Sequence, residues 1–325
     1  MAIPGKESEN GVYEFPYMIK PSQKTTWEAI KTGIWDPSTK QFLGRTAKSW
    51  FQILIFYCIF YAALAALFAI CMAVLYSTLD KDRPTYSDER SLIGTNPGLG
   101  FRPIAETEEG ALIYYNIHNK TSQEKYSKLI KTFLEEYDVN RLGLNSSFAP
   151  RCDFDDIPED GKACPVPLNG FAKCNGPNYG YNTSSPCVFL KLNKIYDWIP
   201  KPYNTSEKLP KEMPEKFREE VIELDIATKK GNQVWVSCQG EYPADKEHIT
   251  KFEYFPGRGL PAYYFPYKHK KTEYLSPLVA VRLVDPKPGV LINIECRAWA
   301  DNIKYEGGAP EQRKGSVHFE IMWDE

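Results

Sequence analysis

The sequence lacks the net charge, the histidine clusters and the short motifs by which many enzymes and nucleic-acid binders announce themselves. Forty Lys and Arg face forty-two Asp and Glu, for a formal net charge of −2, so no global attraction to nucleic acid exists. No Cys-x-x-Cys pair occurs, and His118, His248, His269 and His318 are scattered, which excludes the usual zinc-ligand spacing. There is no Gly-x-Ser-x-Gly, no His-Glu-x-x-His and no P-loop. Gly98-x-Gly100 is a fragment of a nucleotide fingerprint that follows no predicted strand, and it reads as a turn. No catalytic constellation, cofactor motif, metal site or internal repeat is therefore expected.

A further absence is positional. Residues 49–79 contain no charged side chain, and Lys48 and Asp80 bound the gap. About 20 apolar residues in a helix span a hydrocarbon core about 30 Å thick, so this run is long enough to cross a membrane with some tilt. It begins too deep in the chain and runs too far for a cleaved signal peptide. Its Ala63-Leu64-Ala65 falls mid-run rather than at an end. The run reads as an uncleaved signal-anchor over residues 50–77.

Lys31, Lys40, Arg45 and Lys48 before the run outnumber Lys81, Arg83 and Arg90 after it, a slight vote for a cytoplasmic N-terminus. The sequons vote the same way: Asn119, Asn145, Asn182 and Asn204 all follow the run, and none has proline in the middle. Cysteine does too. Cys58 and Cys71 lie within the run, whereas Cys152, Cys164, Cys174, Cys187, Cys238 and Cys296 follow it, and six cysteines in an extracellular domain imply three bridges.

Four segments result. Residues 1–49 are a cytoplasmic arm with Pro4, Pro16, Pro21 and Pro37, in which aromatic patches at 13–17 and 27–35 suit a partner or a membrane surface. Residues 50–77 are the anchor, 78–120 a Gly- and Pro-punctuated extracellular connector, and 121–325 the glycosylated, bridged domain. In that domain Thr121 and Glu124 make a capping-box pattern. Tyr126, Leu129, Ile130, Phe133, Leu134 and Tyr137 then recur at helical spacing, predicting a helix over 121–137 packed on a sheet. Segments 187–192, 234–238, 278–284, 290–299 and 316–323 read as strands. The fold expected is an immunoglobulin-like β-sandwich with long inserted loops and one amphipathic helix, in which a Cys238–Cys296 bridge would tie two strands together.

Two sites suggest themselves in the membrane run. Projected at about 100° per residue, Ala62, Ala66, Ala69 and Ala73 form a stripe of small residues, the kind that lets helices approach closely in lipid. Tyr57, Tyr61 and Phe68 lie on an adjacent face, where each tyrosine hydroxyl needs a polar partner. Beyond the membrane, Tyr263, Tyr264, Phe265, Pro266 and Tyr267 form the densest aromatic cluster, a stiff candidate interface anchor, and Lys268, His269, Lys270 and Lys271 after it read as a solvated turn. Asp153-Phe154-Asp155 matches the Asp-x-Asp by which luminal glycosyltransferases hold a metal, but it has no strand before it and no β/α alternation around it.

Several ordered blocks resemble the beta subunit of the sodium/potassium-transporting ATPase and its proton/potassium relative. Arg45-Thr46-Ala47-Lys48-Ser49-Trp50-Phe51, then Phe56-Tyr57-Cys58-Ile59-Phe60-Tyr61, resemble the family's membrane entry, and Arg83-Pro84-Thr85-Tyr86 its exit. Tyr179-Gly180-Tyr181, Pro186-Cys187, Tyr264-Phe265-Pro266-Tyr267, Tyr274-Leu275-x-Pro277-Leu278 and Ile294-Glu295-Cys296-Arg297-Ala298 resemble further family blocks. The resemblance implies a non-catalytic subunit that helps a catalytic alpha chain fold and reach the plasma membrane and modulates its potassium occlusion. It implies bridges Cys152–Cys164, Cys174–Cys187 and Cys238–Cys296. It places Tyr57 and Tyr61 on the alpha chain's membrane helices and Tyr264, Phe265, Pro266 and Tyr267 on its outer loops. Membrane lipid and a small single-span regulatory subunit complete the expected partners. A short first bridge loop, and Lys268 where the family commonly has another Tyr, point to an invertebrate member. The rival expectations are a luminal glycosyltransferase using Asp153 and Asp155, and a homophilic adhesion protein.

Overall fold

The computed structural model describes residues 6–7, 13–14, 25–37, 39–81, 83–87, 90–91, 94–105, 110–139, 143, 147–158, 162–203, 209–227, 229–268, 273–308 and 313–325. The chain forms two compact units, Met1–Leu79 and Asp80–Glu325.

In the first unit, helix α1 (Thr26–Ile34) leads into three two-residue antiparallel strands, Trp35–Asp36, Gln41–Phe42 and Arg45–Thr46. Leu43 at φ 50° and Gly44 at φ 74° are the two left-handed residues that turn the last pair, and glycine adopts that conformation without steric cost. Helix α2 (Ala47–Thr78) follows directly. Thr46 caps it by accepting from the Ser49 N–H, and the Trp50 indole donates to the Phe42 carbonyl at 2.9 Å. At the far end the hydroxyls of Ser77 and Thr78 each donate at 2.7 Å to the carbonyls of Val74 and Leu75, before Leu79 turns extended. At 1.5 Å per residue α2 is about 48 Å long, well beyond a hydrocarbon core of about 30 Å. The expected span 50–77 lies wholly inside it. None of its residues is buried within the chain.

The second unit is the mainly-β domain expected. Four strands, β1 (Leu99–Arg102), β3 (Cys187–Leu192), β5 (Lys251–Phe255) and β7 (Val279–Val284), form one sheet in the order β5-β7-β3-β1. Five more form the other: β2 (Leu112–Asn116), β4 (Gln233–Gly240), β6 (Gly259–Pro261), β8 (Ile292–Trp299) and β9 (Ser316–Asp324), in the order β6-β4-β8-β9-β2. All pairs are antiparallel except β9 with β2.

Strand periodicity explains the core. Phe101 pairs with Leu190 in register and stacks on Phe319 of the other sheet at 5.1 Å, so Val188, Leu190 and Leu192 face the sheet-to-sheet core. The alternate residues of β3 look outward. Cys187 is bridged to Cys174, Phe189 meets Phe171 edge-on at 5.3 Å, and Lys191 lies over Phe133. A smaller cluster of Tyr203, Leu209, Met213, Phe217, Val221, Trp235 and Trp299 sits under helix α4 (Glu215–Ala227).

Several expectations change. The connector 78–120 is not separate from the domain: it supplies β1 and β2, and Gly100 lies in β1 rather than in a turn. Gly98 and Gly100 both pack against the Asn193 side chain. Helix α3 is Lys120–Glu135, and its cap is Asn119, whose Oδ1 accepts from the N–H groups of Thr121 and Ser122, not the Thr121/Glu124 box. Tyr126, Ile130, Phe133, Leu134 and Tyr137 are buried as the pattern requires, but Leu129 is 37% exposed. The Cys238–Cys296 bridge does tie two strands, as expected: its cysteines face each other directly on neighbouring β4 and β8 of one sheet. Helix α4 carried no sequence expectation, because its weakly apolar pattern lies beyond a Pro-rich stretch.

The Glu253 carboxylate on edge strand β5 receives Lys173 at 3.0 Å and Arg282 at 3.1 Å, joining the bridged Cys174 segment to the sheet. The hydrogen bond from Lys173, then that from Arg282, outweigh partial desolvation and hold this carboxyl down from 4.5 to about 2. A depressed carboxyl contributes stability that is full above its unfolded value and fades as pH falls toward the folded one. We expect Glu253→Gln to melt below the parent at pH 6 and the two melting temperatures to converge on acidification to pH about 2, as read by thermal unfolding of the detergent-solubilised chain.

Candidate interaction surfaces

The membrane-helix face is built by spacing alone. Residues four apart stack along a helix, and here Tyr57 lies on Tyr61 at 6.0 Å and Phe56 on Phe60 at 6.2 Å. Edge contacts Phe56–Tyr57 at 5.4 Å and Phe60–Tyr61 at 5.5 Å join the two pairs into one aromatic plate. Tyr57 is 48% exposed, Tyr61 60% and Phe68 67%. Ala62, Ala66, Ala69 and Ala73 are all exposed too, and Cys58 and Cys71 are exposed free thiols. The two faces thus coexist on one helix, and both are exposed among the described residues.

The second aromatic surface is held from below. The Tyr264 hydroxyl donates to the Pro165 carbonyl at 2.9 Å, and the ring is buried, which pushes its phenol well above the usual tyrosine range. Tyr263 lies on Tyr264 at 4.8 Å and meets Phe154 edge-on at 5.3 Å. Phe154 is thereby a support from the Cys152–Cys164 loop. Phe265 is flanked by Trp198 at 5.5 Å, and Tyr267 by Tyr274 at 5.1 Å and Tyr196 at 6.4 Å. Pro266 is half-buried between them. Of the four residues assigned to this contact, Tyr264 belongs to the core, while Phe265, Pro266 and Tyr267 remain partly open. Trp198, Tyr196 and Tyr274 extend the surface, and only their aromatic character in an otherwise Pro- and Lys-rich stretch hints at it. Lys268 reaches Asp197 at 3.9 Å, and residues 269–271 lie outside the described residues.

The bridges are sequential: Cys152–Cys164, Cys174–Cys187 and Cys238–Cys296. Two of them staple the loop-rich stretch that underlies the aromatic segment. Asn119 and Asn182 are exposed, whereas Asn145 and Asn204 lie outside the described residues. Asp153 is turned onto its own loop, accepting from the Phe154 N–H at 2.8 Å and pairing with Arg151 at 3.5 Å. Asp155 follows in the same turn. Among the described residues no group of three or more His, Cys, Asp or Glu is arranged to hold a metal ion.

A helix long and apolar enough to cross a membrane, followed in the chain by a bridged β-sandwich with a supported aromatic edge, fits a single-span membrane protein. The family model for the sodium / potassium ATPase beta chain matches residues 20–319, and the chain belongs to that family. It is 42% identical over 314 residues to the sodium/potassium-transporting ATPase subunit beta-2 of Drosophila melanogaster, covering 95% of this chain and 96% of the relative. It is 43% identical to subunit beta-1 of the same fly over 97% of both chains, and 29% identical to the human subunit beta-2 over 85% of this chain and 88% of the relative. The sandwich gives Asp153 and Asp155 no alternating β/α scaffold, and the family leaves the glycosyltransferase reading without support.

Buried and open aromatics should separate experimentally. Tyr264→Ala should cost about 3 kcal/mol of the chain's own stability, the scale of a large buried ring removed. Phe265→Ala and Tyr267→Ala should cost clearly less and act chiefly on recovery of any bound partner. Thermal melting beside quantitative pull-down checks this, and equal destabilisation by all three would contradict the division.

Proposed function

We propose that this chain is the non-catalytic beta subunit of a P-type sodium/potassium-transporting ATPase, with its arm in the cytoplasm and its β-domain outside the plasma membrane. The observation that carries the reading is the family match along nearly the whole chain, joined to a membrane helix that buries none of its residues in its own fold. Lipid does not reward apolar burial, so packing and hydrogen bonding drive contact there. The Tyr57–Tyr61 plate supplies both, and we assign it to the membrane helices of the catalytic alpha subunit. The alanine stripe suits close approach by a second helix, such as a small single-span regulatory subunit, and lipid covers the remainder.

Outside, Phe265, Pro266 and Tyr267 present a rigid edge to the pump's outer loops, with Tyr264 holding that edge to the core. Such contacts let the chain assist folding and delivery of the pump and bias its potassium handling without chemistry of its own. The exposed sequons support the outside placement. Asn119 uses Oδ1 to cap α3, and a glycan would be carried on the other amide atom, Nδ2. Asn145, Asn182 and Asn204 complete the expected glycan sites.

Detergent extraction with a tag on this chain should bring down a large multi-span ATPase identified by mass spectrometry; its absence rejects the proposal. Tyr57→Ala with Tyr61→Ala should lower that recovery several-fold and shift the potassium dependence of ATP hydrolysis. Unchanged recovery and potassium dependence would reject the helix-face assignment alone.

A further inference from the structure

We propose that the cleft between α3 and the outer face of the four-stranded sheet binds a sulfated glycan. The strand register creates it. Phe101 and Leu190 pair toward the core, so Arg102 on β1 and Lys191 on β3 both point to the outer face, where α3 lies across them. Their cationic groups share one ring: the Arg102 guanidinium is 5.7 Å from the centre of Phe133, and the Lys191 ammonium 5.3 Å. Lys125 and Lys128, three residues apart on α3, continue the positive line along the same cleft. Four cations thus line a concavity of about 460 Å³, and exposed Glu136 is the only carboxylate among its described lining residues.

Cations gathered around one aromatic ring repel each other and gain only part of that cost back from the ring. The Lys191 ammonium shows it: burial first, then the nearby charges of Arg102 and Lys194, push its pKa below the usual lysine range, while Glu136 offsets little. An anion would cancel this repulsion, and guanidinium and ammonium donors match a sulfate's oxygens. The cleft's shape selects the anion's carrier. A concavity of this size takes a sugar unit or two, and partly exposed Ile104 and Leu129 offer apolar edges to a pyranose's C–H face. A flat bilayer cannot enter a concavity to reach cations on its walls.

The probe is a fully sulfated heparin-type hexasaccharide, titrated calorimetrically into the detergent-solubilised full chain. Saturable binding is expected that falls with added salt and is lost with the desulfated hexasaccharide. Lys191→Met keeps the apolar stem, Arg102→Gln removes the second charge, and Lys128→Gln, at an exposed position, keeps the test open if Arg102→Gln fails to fold. Each should weaken binding about tenfold, the scale of one charge-assisted hydrogen bond. Without ligand, Lys191→Met should melt no lower than the parent, since it relieves like-charge crowding; a marked drop would mean the cluster is already neutralised by the chain and would overturn the proposal. No binding, binding unchanged by all three variants, equal binding of the desulfated sugar, or binding only to anionic phosphatidylserine vesicles would each overturn it as well. The readout needs no pump, so its failure is distinct from failure of the subunit assignment.

Discussion

The burial of both faces of one short strand organises the β-domain. β3 has only six residues, yet its even positions close the sheet-to-sheet core and its odd positions meet the loop and helix laid over the outside. Cys187 fixes the Cys174 loop, Phe189 seats Phe171, and Lys191 reaches the α3 ring Phe133. A strand buried on both sides is normally a feature of parallel sheets covered by helices. Here an antiparallel strand reaches the same state because loop and helix, rather than a third sheet, cover its outer face. The price is a loop-rich layer with little apolar core of its own, which explains why two bridges lie there.

The membrane helix poses the opposite problem. It has ample apolar surface, and none of its residues is buried among the described ones. For an element solvated by lipid this is no penalty, and its sequence can be chosen for partners. Its N-terminal end is nonetheless tightly framed, since the Thr46 cap and the Trp50 indole fix the helix to a small turn structure before the first apolar turn. That framing sets where the Tyr plate begins relative to the helix start.

Much of this was legible in the sequence. The apolar gap between two charges needed only a ruler. The long strands near the C-terminal end were readable because β-branched and aromatic residues cluster between Pro and Gly. The face of α3 was readable because five large residues fall at helical spacing. What escaped did so for physical reasons. β1 is four residues with two glycines close by, a pattern that looks like a turn until Phe101 finds Phe319 on the other sheet. Leu129 fits the apolar stripe of α3 but sits at its margin, where the cleft leaves it open. Tyr264 could not be told from its neighbours, because its inward direction depends on the Pro165 carbonyl almost a hundred residues away. The cleft was invisible, since Arg102, Lys125, Lys128 and Lys191 are ordinary surface residues until strand register and a helix bring them to one place.

The parallel pairing of β9 with β2 imposes an order of events. Among the described residues β2 lies at the edge of its sheet with β9 as its one strand neighbour, about two hundred residues later in the chain. During synthesis β2 must wait for its partner until the intervening chain, including the two short bridged loops at Cys152–Cys164 and Cys174–Cys187, has been made. Closure of that sheet edge therefore depends on chain made some two hundred residues after the edge itself.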